Sequence, residues 1–185
     1  MRTPTLLSRS QGLARNPVST ATSTAAAALV LGLAACSPPA SMPALHEAAP
    51  AFDTVTVDGQ PVRFPADGAG QARILLFWAD WCRYCAAELR LAETIHRERA
   101  ADGLQILALN AGQERSVVSA WLQRQPLGLP VLLDEDGAIT GRYGVIGLPT
   151  AYFIDGEGVV RGKALGEMSA EAFRHQVNKL IGERG

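Results

Sequence analysis

The chain has 185 residues, with 17 Lys and Arg set against 18 Asp and Glu for a formal net charge of -1. That near-neutral balance leaves no basic footprint, so a nucleic-acid partner is not expected. The length suits one domain with a sizeable core plus some additional sequence.

The additional sequence comes first. Arg2, Arg9 and Arg15 are the only charges before His46 and Glu47, and an apolar stretch from Ala25 to Ala35 ends in "LAAC", Leu33 to Cys36. A positive start, a short apolar segment and small residues before a cut describe a secretory signal peptide. The segment is shorter than the roughly 20 residues of a membrane span. An uncleaved anchor beginning near Val18 is the competing reading. Leu-Ala-Ala-Cys also resembles the lipobox of bacterial lipoproteins, which implies cleavage before Cys36 and a lipid carried by that cysteine. The plainer alternative is an ordinary signal with Cys36 as a stray thiol. Residues 1–35 are thus expected to be a lipoprotein-type signal peptide. The chain is expected in the bacterial cell envelope, facing the periplasm and held to a membrane by lipid. Residues 36–50, rich in Pro and Ala, read as a disordered tether in which His46 is a solvated linker residue. Residues 51–185 remain for the folded domain.

In that domain, "FDTVTVDGQPVRF" alternates around Asp58-Gly59 and predicts an N-terminal β-hairpin. "RILLFWA", Arg73 to Ala79, is a continuous apolar run suited to a strand buried on both faces. From Cys82 to about Ala101 there is neither Pro nor Gly, which predicts a helix stopped by Gly103. "LQILALN" and "LPVLLD" read as buried strands, with Val117, Val118, Trp121 and Leu122 at helical spacing between them. "GAITGRYGV" is a short turn or helix, and "TAYFID" and "GVVRGKAL" are strands joined by Asp-Gly-Glu-Gly. Ser169 can cap a last helix whose Phe173, Val177, Leu180 and Ile181 share one face. This order implies an α/β fold, a central mixed sheet flanked by helices, and with CxxC at the first strand-to-helix junction it reads as thioredoxin-like.

A cysteine at that junction meets the unpaired N–H groups and positive end of the helix, which favour a thiolate. Cys85, one turn along the same face, is placed to attack a mixed disulfide formed at Cys82. A structural zinc would want four ligands, and the domain offers two cysteines and the isolated His96 and His175, so no metal is expected. Two small core residues are the remaining alternative, which leaves the flanking Trp81 and Arg83 unexplained.

"FWADWCRYCAAE" resembles the "FWATWCxPCxxE" signature of the TlpA-like, ResA-type thioredoxin family of bacterial envelope thiol–disulfide oxidoreductases. "GLPTAYFID" resembles its cis-proline segment, and "DEDGAITGRYGV" the stretch leading there. The resemblance implies that Cys82 attacks, that buried Cys85 resolves, and that Glu88 beside the site handles protons. A surface position is the ordinary reading of a helical glutamate. Leu76 stands where thioredoxin itself carries a buried Asp. Pro149 matches the cis-proline facing the cysteines, leaving Leu148 to offer backbone groups to a substrate strand. Trp78 is expected in the core, and Trp81, Arg83 and Tyr84 at the substrate-facing rim. Arg83 can also bring a cation toward the Cys82 sulfur.

The expected activity is disulfide reduction on protein substrates, with cytochrome c maturation or envelope redox homeostasis as settings. A transmembrane thiol carrier is the expected electron donor, no cofactor is expected beyond the Cys82–Cys85 disulfide, and the protein is expected to be a monomer. A thiol peroxidase of the same fold and a copper-chaperone-like binder are the alternatives. The first lacks its usual Pro/Thr-containing loop, and the second lacks a histidine near Pro149. Two departures from the family pattern stand out. Arg83-Tyr84 fills the space between the cysteines, where Pro commonly precedes the second, and Arg90 occupies a frequent Pro position.

Overall fold

A computed structural model describes residues 42–182, so Cys36 and the expected signal peptide lie outside the described residues. The hairpin forms from β1 (Phe52–Val55) and β2 (Pro61–Phe64), antiparallel, with Phe52 opposite Phe64 and their rings stacked at 4.9 Å. Gly59 takes a φ of 89° in the connecting turn, a conformation that the missing Cβ makes inexpensive.

The main sheet contains β3 (Ala72–Trp78), β4 (Leu104–Ala111), β5 (Val131–Asp134), β6 (Thr150–Ile154) and β7 (Val160–Leu165). Its order is β5-β4-β3-β6-β7, with β3, β4 and β5 parallel and β6 and β7 antiparallel to their neighbours. All seven residues of β3 are buried, which is why its sequence runs without alternation. Ile74, Leu76 and Trp78 pack on one face against α1 (Cys85–Arg99), α2 (Arg115–Arg124) and α4 (Ala170–Gly182). Leu75 and Phe77 pack on the other against the hairpin phenylalanines and α3 (Ala138–Arg142). Each fully buried Leu, Ile or Phe contributes roughly 1.5–3 kcal/mol, so the centre of the sheet is its most strongly held part. Ser169 caps α4 by accepting the Ala172 N–H at 3.1 Å.

Three features differ from the sequence reading. First, the domain does not begin at Ala51. Residues 42–50 lie along the edge of β7, where the His46 N–H donates to Val160 O and the Val160 N–H to Glu47 O, both at 2.8 Å. Ala49 is buried, and the Tyr143 hydroxyl donates to Pro50 O at 2.7 Å. The Pro/Ala composition read as disorder, but β7 has an open edge whose backbone groups this segment satisfies. His46 remains exposed while its backbone is engaged there.

Second, α1 begins at Cys85, with Cys82 in the turn before it. Third, Arg73, first residue of the apolar run, is itself only 1% exposed. Its guanidinium lies 4.7 Å from the Phe64 ring centroid, and Nη1 donates to Pro65 O at 2.6 Å and Asp67 O at 2.9 Å. Replacing this group strands two carbonyls under the hairpin, at about 1–3 kcal/mol for each unsatisfied buried group. Arg73→Leu should therefore destabilise the domain by about 3 kcal/mol, read as a lower urea midpoint with an unchanged slope.

Candidate active site

Between the end of β3 at Trp78 and the start of α1 the chain makes two consecutive turns. The Cys82 N–H donates to Ala79 O at 3.2 Å and the Cys85 N–H to Cys82 O at 3.1 Å. Because the second bond spans three residues, the regular helix is delayed until Cys85. The cysteines are joined in a disulfide with Cα atoms 5.4 Å apart, so the Cys82 sulfur still reaches the first residue of the helix. Cys82 is 8% exposed and Cys85 1%, so the first cysteine is the more accessible of the two.

Around this pair the side chains divide by depth. Trp78 is fully buried and packs on Trp121 with ring centroids 4.5 Å apart, whereas Trp81 is 70% exposed. Tyr84 is exposed, and the Arg83 guanidinium lies over its ring, 4.9 Å from the centroid. Arg83 is thereby engaged with its neighbour's ring. The Leu148–Pro149 peptide is cis. Phe77 is paired with Thr150, which sets Pro149 beside the end of β3 at the same end of the sheet as the cysteines. Pro149 is buried and Leu148 half-buried, and Gly166 N–H donates to Pro149 O at 2.8 Å. Exposed Ile146 and Leu165 extend the apolar surface there.

Glu88 is 1% exposed, three residues after Cys85 and on its side of α1. Burial pushes its carboxyl above the usual range. The Met168 N–H, donating to Oε2 at 3.1 Å, works in the opposite direction, and the negative charge of Glu167 adds to the rise. A buried carboxyl with a raised pKa beside a thiol suits proton transfer. Arg90, in the frequent Pro position, hydrogen-bonds the Gln125 side chain, and α1 runs on through it to Arg99.

A polar group under the cysteine turn escaped the sequence reading. Gln113 hydrogen-bonds both Asp80 and Asn110 where β3 and β4 end. The only signal for it is the asparagine that ends the apolar run Ile106 to Leu109 in "LQILALN". Among the described residues, no group of three or more His, Cys, Asp or Glu is placed to hold a metal ion.

A mixed sheet flanked by helices, with a CxxC disulfide at a strand-to-helix junction and a cis-proline at the same end of the sheet, defines a thiol–disulfide oxidoreductase of thioredoxin-like fold. Residues 45–163 match the AhpC/TSA family. The chain is 30% identical over 132 residues to the thiol-disulfide oxidoreductase ResA of Bacillus thuringiensis subsp. konkukian, covering 71% of this chain and 76% of that one. Among solved structures it resembles a thiol:disulfide interchange protein of the thioredoxin family from Chlorobium tepidum, with a TM-score of 0.66 and 28% identity over 75% of this chain and 99% of that one. It also resembles the exposed lipoprotein thioredoxin Etrx1 of Streptococcus pneumoniae, with a TM-score of 0.64 and 31% identity over 71% of this chain and all of that one. The chain belongs to the AhpC/TSA family and, within it, to the ResA-type thiol–disulfide oxidoreductases.

Glu88 supplies a test of this geometry. Because its folded-state pKa is raised, its contribution to stability is fully present below the ordinary value of 4.5 and lost as pH rises through the folded value. Glu88→Gln removes that loss. The variant should gain stability relative to the parent between acid and neutral pH, measured by urea unfolding at both. A constant difference would mean that Glu88 ionises as freely folded as unfolded.

Proposed function

We propose that the protein is an envelope disulfide reductase, tethered to a membrane through lipid at Cys36, which uses Cys82 to attack protein disulfides. The observation that carries the reading is the pairing of partly accessible Cys82 with fully covered Cys85 above buried Glu88. In the reduced protein, the Cys82 thiolate attacks one sulfur of a substrate disulfide. A mixed disulfide forms and the other substrate sulfur leaves as a thiolate. Glu88 accepts the Cys85 proton, and the Cys85 thiolate then attacks Cys82. This closes the Cys82–Cys85 disulfide and releases the second substrate thiolate. Two electrons pass to the substrate, and the pair itself is the redox centre.

Trp81, Tyr84 and Arg83 form the surface that meets the substrate. Leu148 and Pro149 present backbone to its extended segment, a mode that pairs main chain to main chain. A transmembrane thiol carrier returns electrons to the Cys82–Cys85 disulfide, and the protein works as a monomer. For the lipid anchor, support comes from the "LAAC" boundary and from the pneumococcal relative, which is named a lipoprotein.

Two measurements test these roles. Cys82→Ser should abolish covalent capture of a protein disulfide, whereas Cys85→Ser should accumulate the mixed disulfide, read on non-reducing gels. Equal capture by the two variants would overturn the assignment. Intact-mass analysis of membrane-extracted protein should give a chain starting at Cys36 with added acyl mass, and an unmodified soluble chain would remove the anchor from the proposal.

A further inference from the structure

The segment from Ala79 to Tyr84 carries the attacking sulfur, yet it belongs to neither a strand nor a helix. Its local hydrogen bonds are those of its two turns. Ala79 and Cys82 pack into the core and the disulfide joins the segment to α1, while the side chain of Gln113 ties it by hydrogen bonds to the loop after β4. The Gln113 Oε1 accepts the Asp80 backbone N–H at 2.9 Å, and its Nε2 donates to Asp80 Oδ1 at 2.6 Å. One amide thus holds both the main chain and the side chain of the residue two before Cys82. The same Oε1 accepts from Asn110 Nδ2 at 3.0 Å, and Asn110 is fully buried at a position paired with Trp78. Gln113 is itself held, because preceding Gly112, at a φ of 71°, donates its N–H to Asp134 O at 2.9 Å.

We propose that Gln113 is a positioning residue for the Cys82–Cys85 couple, fixing the cysteine turn through Asp80 so that the two sulfurs stay within bonding reach in the reduced protein. The inference rests on the redox role assigned to that pair. Forming the disulfide from the dithiol, with two electrons and two protons passing to an oxidant such as oxidised glutathione, depends on how often the sulfurs meet. A held turn keeps that effective concentration high. Releasing the turn gives the dithiol more freedom and the closed disulfide little. The reduced form gains, and the couple becomes more oxidising. A tenfold loss of effective concentration corresponds to about 30 mV for two electrons.

The test is redox titration of the full chain against glutathione, with circular dichroism confirming the fold. Gln113→Ala should shift the equilibrium toward the dithiol by several-fold to about tenfold. Asp80→Asn removes a charge but keeps both contacts, since its side-chain oxygen still accepts from the glutamine, and should leave the equilibrium within about twofold. Gln113→Glu sets two carboxylates against each other and should behave like the alanine variant. Combining Gln113→Glu with Asp80→Asn exchanges donor for acceptor across the same contact and should restore the parent equilibrium. If Gln113→Ala does not fold, the Gln113→Glu single and its double variant carry the comparison alone. A parental equilibrium in folded Gln113→Ala overturns the proposal, as does failure of the double variant to restore it. An Asp80→Asn shift as large as that of Gln113→Ala does so too, by assigning the effect to charge. Loss of substrate capture by every Cys82-containing variant and by the parent would instead count against the redox role itself.

Discussion

The burial of β3 on both faces is the constraint from which the redox end is built. Seven consecutive residues without access to water can be accommodated only if strands lie on both sides and helices cover both faces. With the register fixed by that packing, Trp78 lies beside Asn110 and Phe77 beside Thr150. The chain after β3, the loop after β4 and the loop before β6 therefore converge at one end of the sheet. The cysteine turn, Gln113 and cis Pro149 meet there because the strands beneath them cannot slide. A slip of one residue would exchange the two faces of β3 and bring Arg73 into the cluster of Ile74 and Leu76.

Over that rigid floor the site is graded from wet to dry. Trp81, Tyr84, Ile146 and Leu165, all at this end of the sheet, present apolar surface to solvent. Cys82 lies at the boundary, and Cys85 and Glu88 lie below it. Placing a carboxyl below the boundary costs stability, and the Met168 N–H from the loop after β7 offsets part of that cost. The residual rise in pKa suits the proton-accepting role proposed for Glu88. Stability is given up at that one position, while the surrounding helix face stays apolar.

The sequence made the strands, the hairpin, the last helix and the CxxC junction legible because each rests on a local pattern: a run length, an alternation, a turn dipeptide, a cap. What it concealed depends on distant partners. Arg73 looks like the polar end of a strand until the hairpin supplies Phe64 and the loop after β2 supplies two carbonyls. Residues 42–50 look like linker until the open edge of β7 is available to them. Glu88 carries no local sign of burial and was legible only through family likeness. Gln113 was not legible, since its partner Asp80 is distant in sequence and the only hint nearby is Asn110 at the end of an apolar strand.

The two departures from the family pattern are likewise explained by partners. Arg83 and Tyr84 act as a unit, because the cation over the ring gains about 0.5–1 kcal/mol at an exposed site. That contact holds the guanidinium over the Tyr84 ring, and in the substrate-meeting role proposed for the pair it is this joined surface that a substrate would encounter. Arg90, without the backbone restriction of proline, lets α1 continue unbroken and ties it to the end of α2 through Gln125. A straight first helix carries Cys85 and Glu88 on one rigid element. The turn bearing Cys82 lies outside that element, and it is the part Gln113 holds through Asp80.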